Sequence, residues 1–304
     1  MSYFLQQLVN GLQVGSLYAL VALGITLVYG ILQMLNFAHG DVYMVGGFIA
    51  AGVAGLFVRQ QVPIVPALVV IPLMLIAAML GAGLLGGVIE RVAYRPLRAR
   101  GGLALVITSI GVALLIRYVV AIQVTAGPVT VQSNALVPPI LLHVGVIETP
   151  LMAVVLFVVA ALLMVGLDLF VFRTNFGAAI RATAQDREAA GFMGIDVDRM
   201  IITTFILGSA LAGIGGLLFG LRYGTVDYFM GNLIGLKAFA AAVLGGIGNI
   251  RGAMVGGLAL GILESLAGGL LSTAFQDVFA FLLLILVLIV RPWGMFGERP
   301  LERA

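Results

Sequence analysis

LMAVVLFVVAALLMVGLDLFVF, residues 151–172, decides the fold class, because Asp168 is its only charged residue. An apolar run of about 20 residues is long enough to cross a bilayer as a helix. Comparable runs recur along the 304 residues, of which 62% are hydrophobic and 10% charged, whereas a soluble domain carries roughly 25% charged residues. The runs do not alternate as barrel strands do. We therefore predict an all-α integral membrane protein.

The apolar runs predict nine spans, consistent with a bundle of about eight to ten transmembrane helices. They lie at Leu8–Ile31, Asp41–Val58, Ile64–Ile89, Leu103–Ile122, Leu151–Phe172, Ile201–Arg222, Leu233–Ile247, Gly252–Leu271 and Phe275–Val290. The seventh run is short and the second begins on a charged residue. We expect a single membrane domain over residues 1–304.

Basic residues predict which loops are cytoplasmic, because short cytoplasmic loops collect Lys and Arg. If the spans alternate, eleven of the 16 fall on one side: Arg91, Arg95, Arg98, Arg100, Arg173, Arg181, Arg187, Arg199, Arg291, Arg299 and Arg303. Residues 123–150 contain none and are rich in Val, Thr and Pro. This segment is predicted to be an extracytoplasmic loop with an extended or hairpin element. The N-terminus would then be outside and the C-terminus inside.

Glycine pairs at four-residue spacing predict close helix packing. They are Gly11 with Gly15, Gly220 with Gly224, Gly252 with Gly256, and Gly257 with Gly261. Two segments also interrupt the apolar pattern with polar residues, NFAHGDVYMVGG at 36–47 and GGIGNIRGAMVGG at 245–257. Either they are capped helix starts, or they are discontinuous helices that line a substrate path. The candidate path residues are Asn36, His39, Gly40, Asp41, Gly245, Gly246 and Asn249.

The most informative polar segment is RTNFGAAIRATAQDREAAGFMGIDVDR, residues 173–199. Alanine is frequent and proline absent between Gly177 and Ala190, so we expect one short helix there, followed by a turn at Gly191 and Gly194. Such a helix is marginal alone in water. Its small alanine face therefore indicates docking to another protein.

Charges inside the spans are functional candidates, because a charge in lipid costs about 3 kcal/mol. Arg117 lies near the outer end of its span, and we expect it to snorkel to the interface. Asp168 is expected to reach the inner surface near Arg173. Glu264 is farther from a span end, and Lys237 on a neighbouring span is predicted to neutralise it in an intramembrane ion pair.

The chain contains no Cys and only two histidines, His39 and His143, far apart in sequence. This composition predicts no metal site, no cofactor and no catalytic residues. Lys237 is the one lysine, and the residues before it do not form a phosphate-binding loop. An ion-coupled symporter would need several intramembrane carboxylates, and Glu264 is the one clear candidate. Because the chain has no phosphate-binding loop at its one lysine, any ATP-derived energy must enter from a partner subunit.

Glu188, Ala189 and Ala190, followed after three residues by Gly194, resemble the EAA-and-glycine signature of permeases in bacterial ATP-binding-cassette importers. A wider resemblance to LivH-type permeases of branched-chain amino acid importers covers essentially the whole chain. It is carried by MLNFAHGDVYMVGGF at 34–48, IERVAYRPLR at 89–98 and KAFAAAVLGGIGNIRGAMVGG at 237–257.

This resemblance implies a subunit of a bacterial inner-membrane importer that moves branched-chain amino acids by alternating access. Its partners would be a second related permease, two cytoplasmic ATPases and an external binding protein. The resemblance assigns residues 173–199 as the cytoplasmic coupling segment, with Arg181, Glu188, Ala189, Ala190 and Gly194 at the ATPase contact. Urea and amide importers use similar permeases, so they remain an alternative.

Overall fold

A computed structural model describes residues 2–59, 67–131, 140–145, 147–291 and 293–297 of the chain. Within these ranges the chain is helical apart from short strands and connecting turns. The helices are α1 Ser2–Leu32, α2 His39–Arg59, α3 Ala67–Ile89, α4 Gly102–Gln123, α5 Leu151–Arg173, α6 Asn175–Gln185, α7 Arg187–Phe192, α8 Val197–Tyr223, α9 Met230–Gly245, α10 Ile250–Leu270 and α11 Gln276–Val290. The strands are β1 Val129–Thr130, β2 Leu141–Val144, β3 Ile147–Pro150 and β4 Thr225–Val226.

Eight helical segments among the described residues are long and apolar enough to cross a membrane. Helical turns over Glu90–Tyr94 and Arg95–Arg100 continue α3, and a short helical turn at Thr273–Phe275 precedes α11. The seventh predicted span, Leu233–Ile247, forms the shorter apolar helix α9, Met230–Gly245. The 151–172 run forms α5, Leu151–Arg173, and the other spans also lie near their predicted positions. The prediction of an all-α, multi-pass membrane protein is therefore confirmed. At 1.5 Å per residue, α9 is about 24 Å long and falls short of a hydrocarbon core of about 30 Å.

Helix α1 lies at the centre of the bundle and contacts α5, α8, α9 and α10. Its closest neighbour is α10, where Gly11 and Gly15 face Gly257 and Gly261. A Cβ on Gly15 would lie 2.8 Å from Leu258 Cα, so only glycine lets these backbones approach. The predicted packing role is therefore present at these two glycine pairs.

The other two glycine pairs have different surroundings. Gly252 and Gly256 face Gly245 on α9, again in close backbone contact. Gly224, however, follows the end of α8 in the left-handed conformation, with φ of 72°, and donates its N–H to Gly220. This pair forms a helix end, which is the usual place for a left-handed glycine.

One end of the bundle carries the N-terminus and a β-hairpin, and we call it the hairpin end. Strands β2 and β3 pair antiparallel, with His143 opposite Glu148. The Gln6 side chain bonds both backbone groups of Glu148, at 2.8 and 3.0 Å. The predicted hairpin within residues 123–150 is present, although Pro138 and Pro139 lie outside the described residues.

The opposite end carries α6 and α7, and we call it the basic end. The prediction of one helix from Gly177 to Ala190 is wrong, because the chain breaks at Asp186, with φ of −154° and ψ of 112°. The Asp186 carboxylate accepts the N–H groups of Glu188 and Ala189 at 2.9 and 3.0 Å. A side chain that caps a new helix in this way ends the preceding one.

Helix α2 begins inside the bundle rather than at its surface. The His39 ring packs against Gly24, which lies about two turns before α1 ends at Leu32. Residues 33–38 therefore run back along the bundle without helical structure, and the Asn36 carboxamide oxygen accepts the Ala38 N–H at 3.1 Å. Non-helical backbone at membrane depth is tolerated where protein covers it or where it lines a cavity.

Candidate functional site

A cavity of about 160 Å³ lies where α1, α2, α4 and α9 meet. It is comparable in volume to a buried cavity of about 150 Å³ that holds benzene. Most of its walls are apolar, and the polar side chains are those of Asn36, Arg117 and Asn232. The other lining residues are Ile25, Leu35, Phe37, Gly40, Ile110, Ala113, Leu114, Gly231, Gly235, Leu236 and Phe239. Such a space accommodates a small solute with an apolar part and one polar end.

Arg117 does not snorkel to the interface as predicted, because a carboxylate on another helix pairs with it. Its Nε and Nη2 atoms both lie 3.1 Å from Asp41 oxygens, and Nη2 lies 3.5 Å from Asn232 Oδ1. Arg117 is 8% exposed and Asp41 is 1% exposed. The guanidinium carbon also lies 4.8 Å from the centre of the Phe229 ring. This fork of two hydrogen bonds fixes the plane and direction of the guanidinium.

The first turns of α2 and α9 meet beside this pair. Gly40 packs against Gly231 and Gly235, and a Cβ on Gly235 would lie 3.0 Å from Gly40 Cα. Gly40, Gly231 and Gly235 also line the cavity. A helix N-terminus carries a partial positive charge, so two such ends make this region favourable for an anionic group.

The two predicted groups of path residues lie in different places. Asn36 and Gly40 line the cavity, while His39 and Asp41 are buried and are not among its lining residues. Gly245, Gly246 and Asn249 instead contact the segment that follows α11. Phe296 donates its N–H to the Gly245 carbonyl at 3.0 Å, and Asn249 Nδ2 donates to the Phe296 carbonyl at 2.9 Å.

Asn249 also caps α10, because its side chain accepts the Gly252 N–H at 2.9 Å. This is the capped-start alternative for the 245–257 segment. The structure therefore assigns different roles to the two interruptions: the first reaches the cavity, and the second fastens the chain after α11.

Lys237 lies in a separate buried cluster on α9. Its Nζ atom is 2.7 Å from Glu264 Oε1 and 2.6 Å from Asp277 Oδ1, and it donates to the Tyr18 hydroxyl at 3.4 Å. Lys237 and Glu264 are 4% and 7% exposed, whereas the Asp277 side chain is 49% exposed. The cluster joins α1, α9, α10 and α11.

We expect Lys237→Met to destabilise the protein by about 3–5 kcal/mol, because it leaves the Glu264 charge buried without its cation. The double variant Lys237→Met/Glu264→Gln removes both buried charges and is expected to recover most of this loss. Asp277 can be hydrated in either variant. Thermal unfolding of the purified proteins in detergent measures the difference. A double variant much less stable than either single variant would contradict the structural role of the pair.

Ion pairs also tie the basic end together. Asp168 does not lie with Arg173 as expected, since its carboxylate pairs with Arg251 at 2.8 Å. Arg98 Nη1 lies 2.7 Å from Asp198 Oδ1, and the same guanidinium pairs with the buried Glu90. These contacts connect α5 to α10, and the helical residues 90–100 after α3 to α8.

Some of the residues predicted to contact an ATPase are exposed, whereas others pack against the bundle or form hydrogen bonds with it. Glu188, Ala189 and Gly194 are exposed, and Gly194 has a φ of 83°. Ala190 is 5% exposed and packs inward. Arg181 donates to the Val171 carbonyl at the end of α5, and its guanidinium carbon lies 5.2 Å from the Phe172 ring centre.

Helix α7 is attached to the central helix by Arg187. Its Nε donates to the Ile31 carbonyl at the end of α1 at 2.9 Å. Partial burial lowers the pKa of Arg187 from its ordinary value, although the guanidinium remains charged. Phe192 and Met193 follow at the end of α7, 83% and 84% exposed. An exposed apolar pair beside fixed polar groups is typical of a protein interaction surface.

Residues 7–288 match the family described as the branched-chain amino acid transport system / permease component. The chain belongs to this family. It is 42% identical to the high-affinity branched-chain amino acid transport system permease protein BraD of Pseudomonas aeruginosa, over 99% of this chain and 98% of that one. It is 40% identical to LivH of Escherichia coli over the same shares. A probable LivH of Methanocaldococcus jannaschii is 30% identical, over 93% of this chain and 89% of its own.

This family membership confirms the resemblance predicted from the sequence and makes the chain a transporter permease rather than an enzyme. Two polar residues that line the cavity, Arg117 and Asn232, were not among the path residues predicted from the sequence. The signal available was an opposite pair of charges, Asp41 and Arg117, in two different apolar runs. Because Arg117 lies near the outer end of its span, the sequence favoured snorkelling to the interface. A single sequence does not show that the spans of Asp41 and Arg117 are neighbours.

Proposed function

We propose that this chain is a permease subunit of an ATP-driven importer that carries branched-chain amino acids across a bacterial inner membrane into the cytoplasm. The observation that supports the substrate class best is the cavity, whose walls are apolar apart from Asn36, Arg117 and Asn232. A branched aliphatic side chain matches the walls, and the charged amino acid backbone matches the polar end. The names of BraD and LivH agree with this substrate.

The same cavity does not favour the urea or amide alternative. Urea has no aliphatic part to cover Ile25, Leu114 or Phe239. Binding it there would remove water from its polar groups with few hydrogen-bond partners in return.

Ion coupling is also disfavoured by the charges of the described residues. The buried carboxylates among them are those of Asp41, Glu90 and Glu264. Each forms an ion pair with a basic side chain: Asp41 with Arg117, Glu90 with Arg98, and Glu264 with Lys237. A symporter needs carboxylates that can take and release an ion, and these are held by fixed cations.

Helices α6 and α7 are the proposed route for energy. Glu188, Ala189 and Gly194 with the apolar pair Phe192 and Met193 present a surface that suits a groove of an ATPase. Ala190 anchors this surface on the bundle. The basic residues at the same end support a cytoplasmic position for this surface, because short cytoplasmic loops collect Lys and Arg.

A short chain of contacts connects this surface to the cavity. Arg187 binds the last turn of α1 at Ile31. The non-helical residues 33–38 follow directly and lead to the start of α2 beside Gly40 and Asp41. Movement of α7 with an ATPase can therefore displace the first turn of α2, one wall of the cavity, as the importer alternates between its two openings.

The proposed complex contains a second related permease, two cytoplasmic ATPases and an external binding protein that delivers the amino acid. Uptake by the complete complex in proteoliposomes tests the substrate class. We expect leucine, isoleucine and valine to enter at least tenfold faster than urea at equal concentration, because urea cannot fill the apolar walls. Glycine, which has the same charged groups without a side chain, is the matched control. Faster uptake of urea than of leucine would overturn the proposal.

A further inference from the structure

We infer that Arg117 is a carboxylate-binding residue, and that the cavity takes an aliphatic monocarboxylate whose carboxylate bonds the Nη1 edge of this guanidinium. The inference rests on the proposed function for its biological substrate, an aliphatic amino acid, but the binding chemistry stands on the geometry of the cavity alone. Arg117 lines the cavity and is 8% exposed.

The donors of Arg117 are only partly used within the protein. Nε and one N–H of Nη2 bond Asp41, and a longer contact from Nη2 reaches Asn232. Nη1 has no acceptor in the part of the chain that the structure describes. A guanidinium has five N–H donors arranged to match a carboxylate, so Nη1 retains donors for a ligand.

Asp41 is a positioning residue in this arrangement. It holds the guanidinium from behind, while the Phe229 ring stacks near the guanidinium carbon at 4.8 Å. Asp41 itself is 1% exposed and is not among the cavity-lining residues. Its charge balances that of Arg117 before the ligand arrives, which keeps the empty site neutral.

The N-terminus of α9 adds a second positive electrostatic field that favours a carboxylate near Arg117. Met230 begins α9 after Phe229, which provides no side-chain cap for the helix end. Together with the start of α2 at Gly40, this directs two positive helix ends toward the region of Arg117. A ligand carboxylate therefore meets a buried guanidinium and two helix N-termini.

The remainder of the ligand lies along the apolar walls. Ile25, Leu114, Leu236 and Phe239 are among the apolar residues that line the cavity. A volume of about 160 Å³ holds a short branched chain and its carboxylate. The chemical class is thus a small branched aliphatic carboxylate, and α-amino acids belong to it.

Saturation-transfer NMR on the detergent-purified complex tests the inference without transport. The probes are 4-methylpentanoate, which is leucine without its amino group, and 3-methylbutylamine, which is leucine without its carboxyl group. We expect wild type to bind the carboxylate and not the amine. Arg117→Gln and Asp41→Asn/Arg117→Gln should both bind 4-methylpentanoate at least tenfold more weakly, since a charge-assisted bond is lost.

The double variant separates binding from structure. A purely structural ion pair can be replaced by neutral groups without large loss, so a structural role predicts normal binding and normal leucine uptake by Asp41→Asn/Arg117→Gln. Our inference predicts that both remain defective. The matched control is Lys237→Met/Glu264→Gln, which neutralises a buried pair outside the cavity and should bind the carboxylate as wild type does.

The outcomes distinguish the two proposals. Wild type that imports leucine with ATP but does not bind 4-methylpentanoate would overturn the inference and leave the proposed function intact. Binding of the carboxylate by the neutral double variant at wild-type strength would also overturn it. Arg117-dependent binding in a complex that fails to import leucine would support the inference and contradict the proposed function.

Discussion

Gly15→Val is expected to lower the free energy of unfolding by about 3 kcal/mol or more, the upper part of the range for overpacked sites. The Cβ alone would lie 2.8 Å from Leu258 Cα and 2.9 Å from the Gly257 and Leu258 carbonyl oxygens. These are backbone atoms of α10, so no side-chain rotation relieves the overlap. The two helices must separate, and α1 is the central helix of the bundle.

Thermal unfolding of the purified protein measures this loss, together with the amount of protein recovered from the membrane. Gly166→Val is the matched control, because a Cβ on Gly166 of α5 meets no atom within 4 Å. It adds the same side chain to a membrane helix without overlap. Equal stability of the two variants would contradict the packing of α1 against α10.

The spans could be predicted because each depends on local composition alone. The 151–172 run has enough apolar residues to cross the bilayer whatever its neighbours are. Asn249 could also be predicted as a cap, since a cap is a local contact. In the structure, the 151–172 run forms α5 and the Asn249 side chain caps α10.

Most features that depend on helix neighbours could not be predicted, although Lys237 and Glu264, predicted as a pair on neighbouring spans, do lie 2.7 Å apart. The polar cluster at 36–41 marks a helix start, but its depth depends on how residues 33–38 run along α1. The pairing of Asp41 with Arg117 and the approach of Asp277 to Lys237 join distant positions. Local propensity over 177–190 favours one helix, and the Asp186 cap overrides it.

Glu188→Lys is expected to abolish co-purification of the ATPase with the tagged permease, or to reduce it at least tenfold. Glu188 is exposed in the first turn of α7, beside Phe192 and Met193 on the proposed docking surface. Reversal of a charge against a complementary partner surface costs several kcal/mol, and about 1.4 kcal/mol corresponds to tenfold in an equilibrium constant. Membrane insertion should be unchanged, because Glu188 is not part of the bundle core.

Glu148→Lys is the control for this variant. It makes the same charge reversal at the hairpin end, where the Glu148 side chain is 68% exposed. ATPase recovery with this control should equal that of wild type. Glu188→Gln should retain most of the ATPase, since it removes the charge without reversing it. Normal ATPase recovery and normal leucine uptake with Glu188→Lys would show that α7 is not the docking element.

We propose that this chain moves aliphatic amino acids with energy that enters from a separate ATPase. Labelled leucine uptake into proteoliposomes tests it most directly, with ATP enclosed and the binding protein outside. We expect leucine to accumulate when the ATPases and ATP are both present, and we expect omission of either to stop uptake. Leucine accumulation by the permease subunits alone, driven by an ion gradient and independent of ATP, would contradict it.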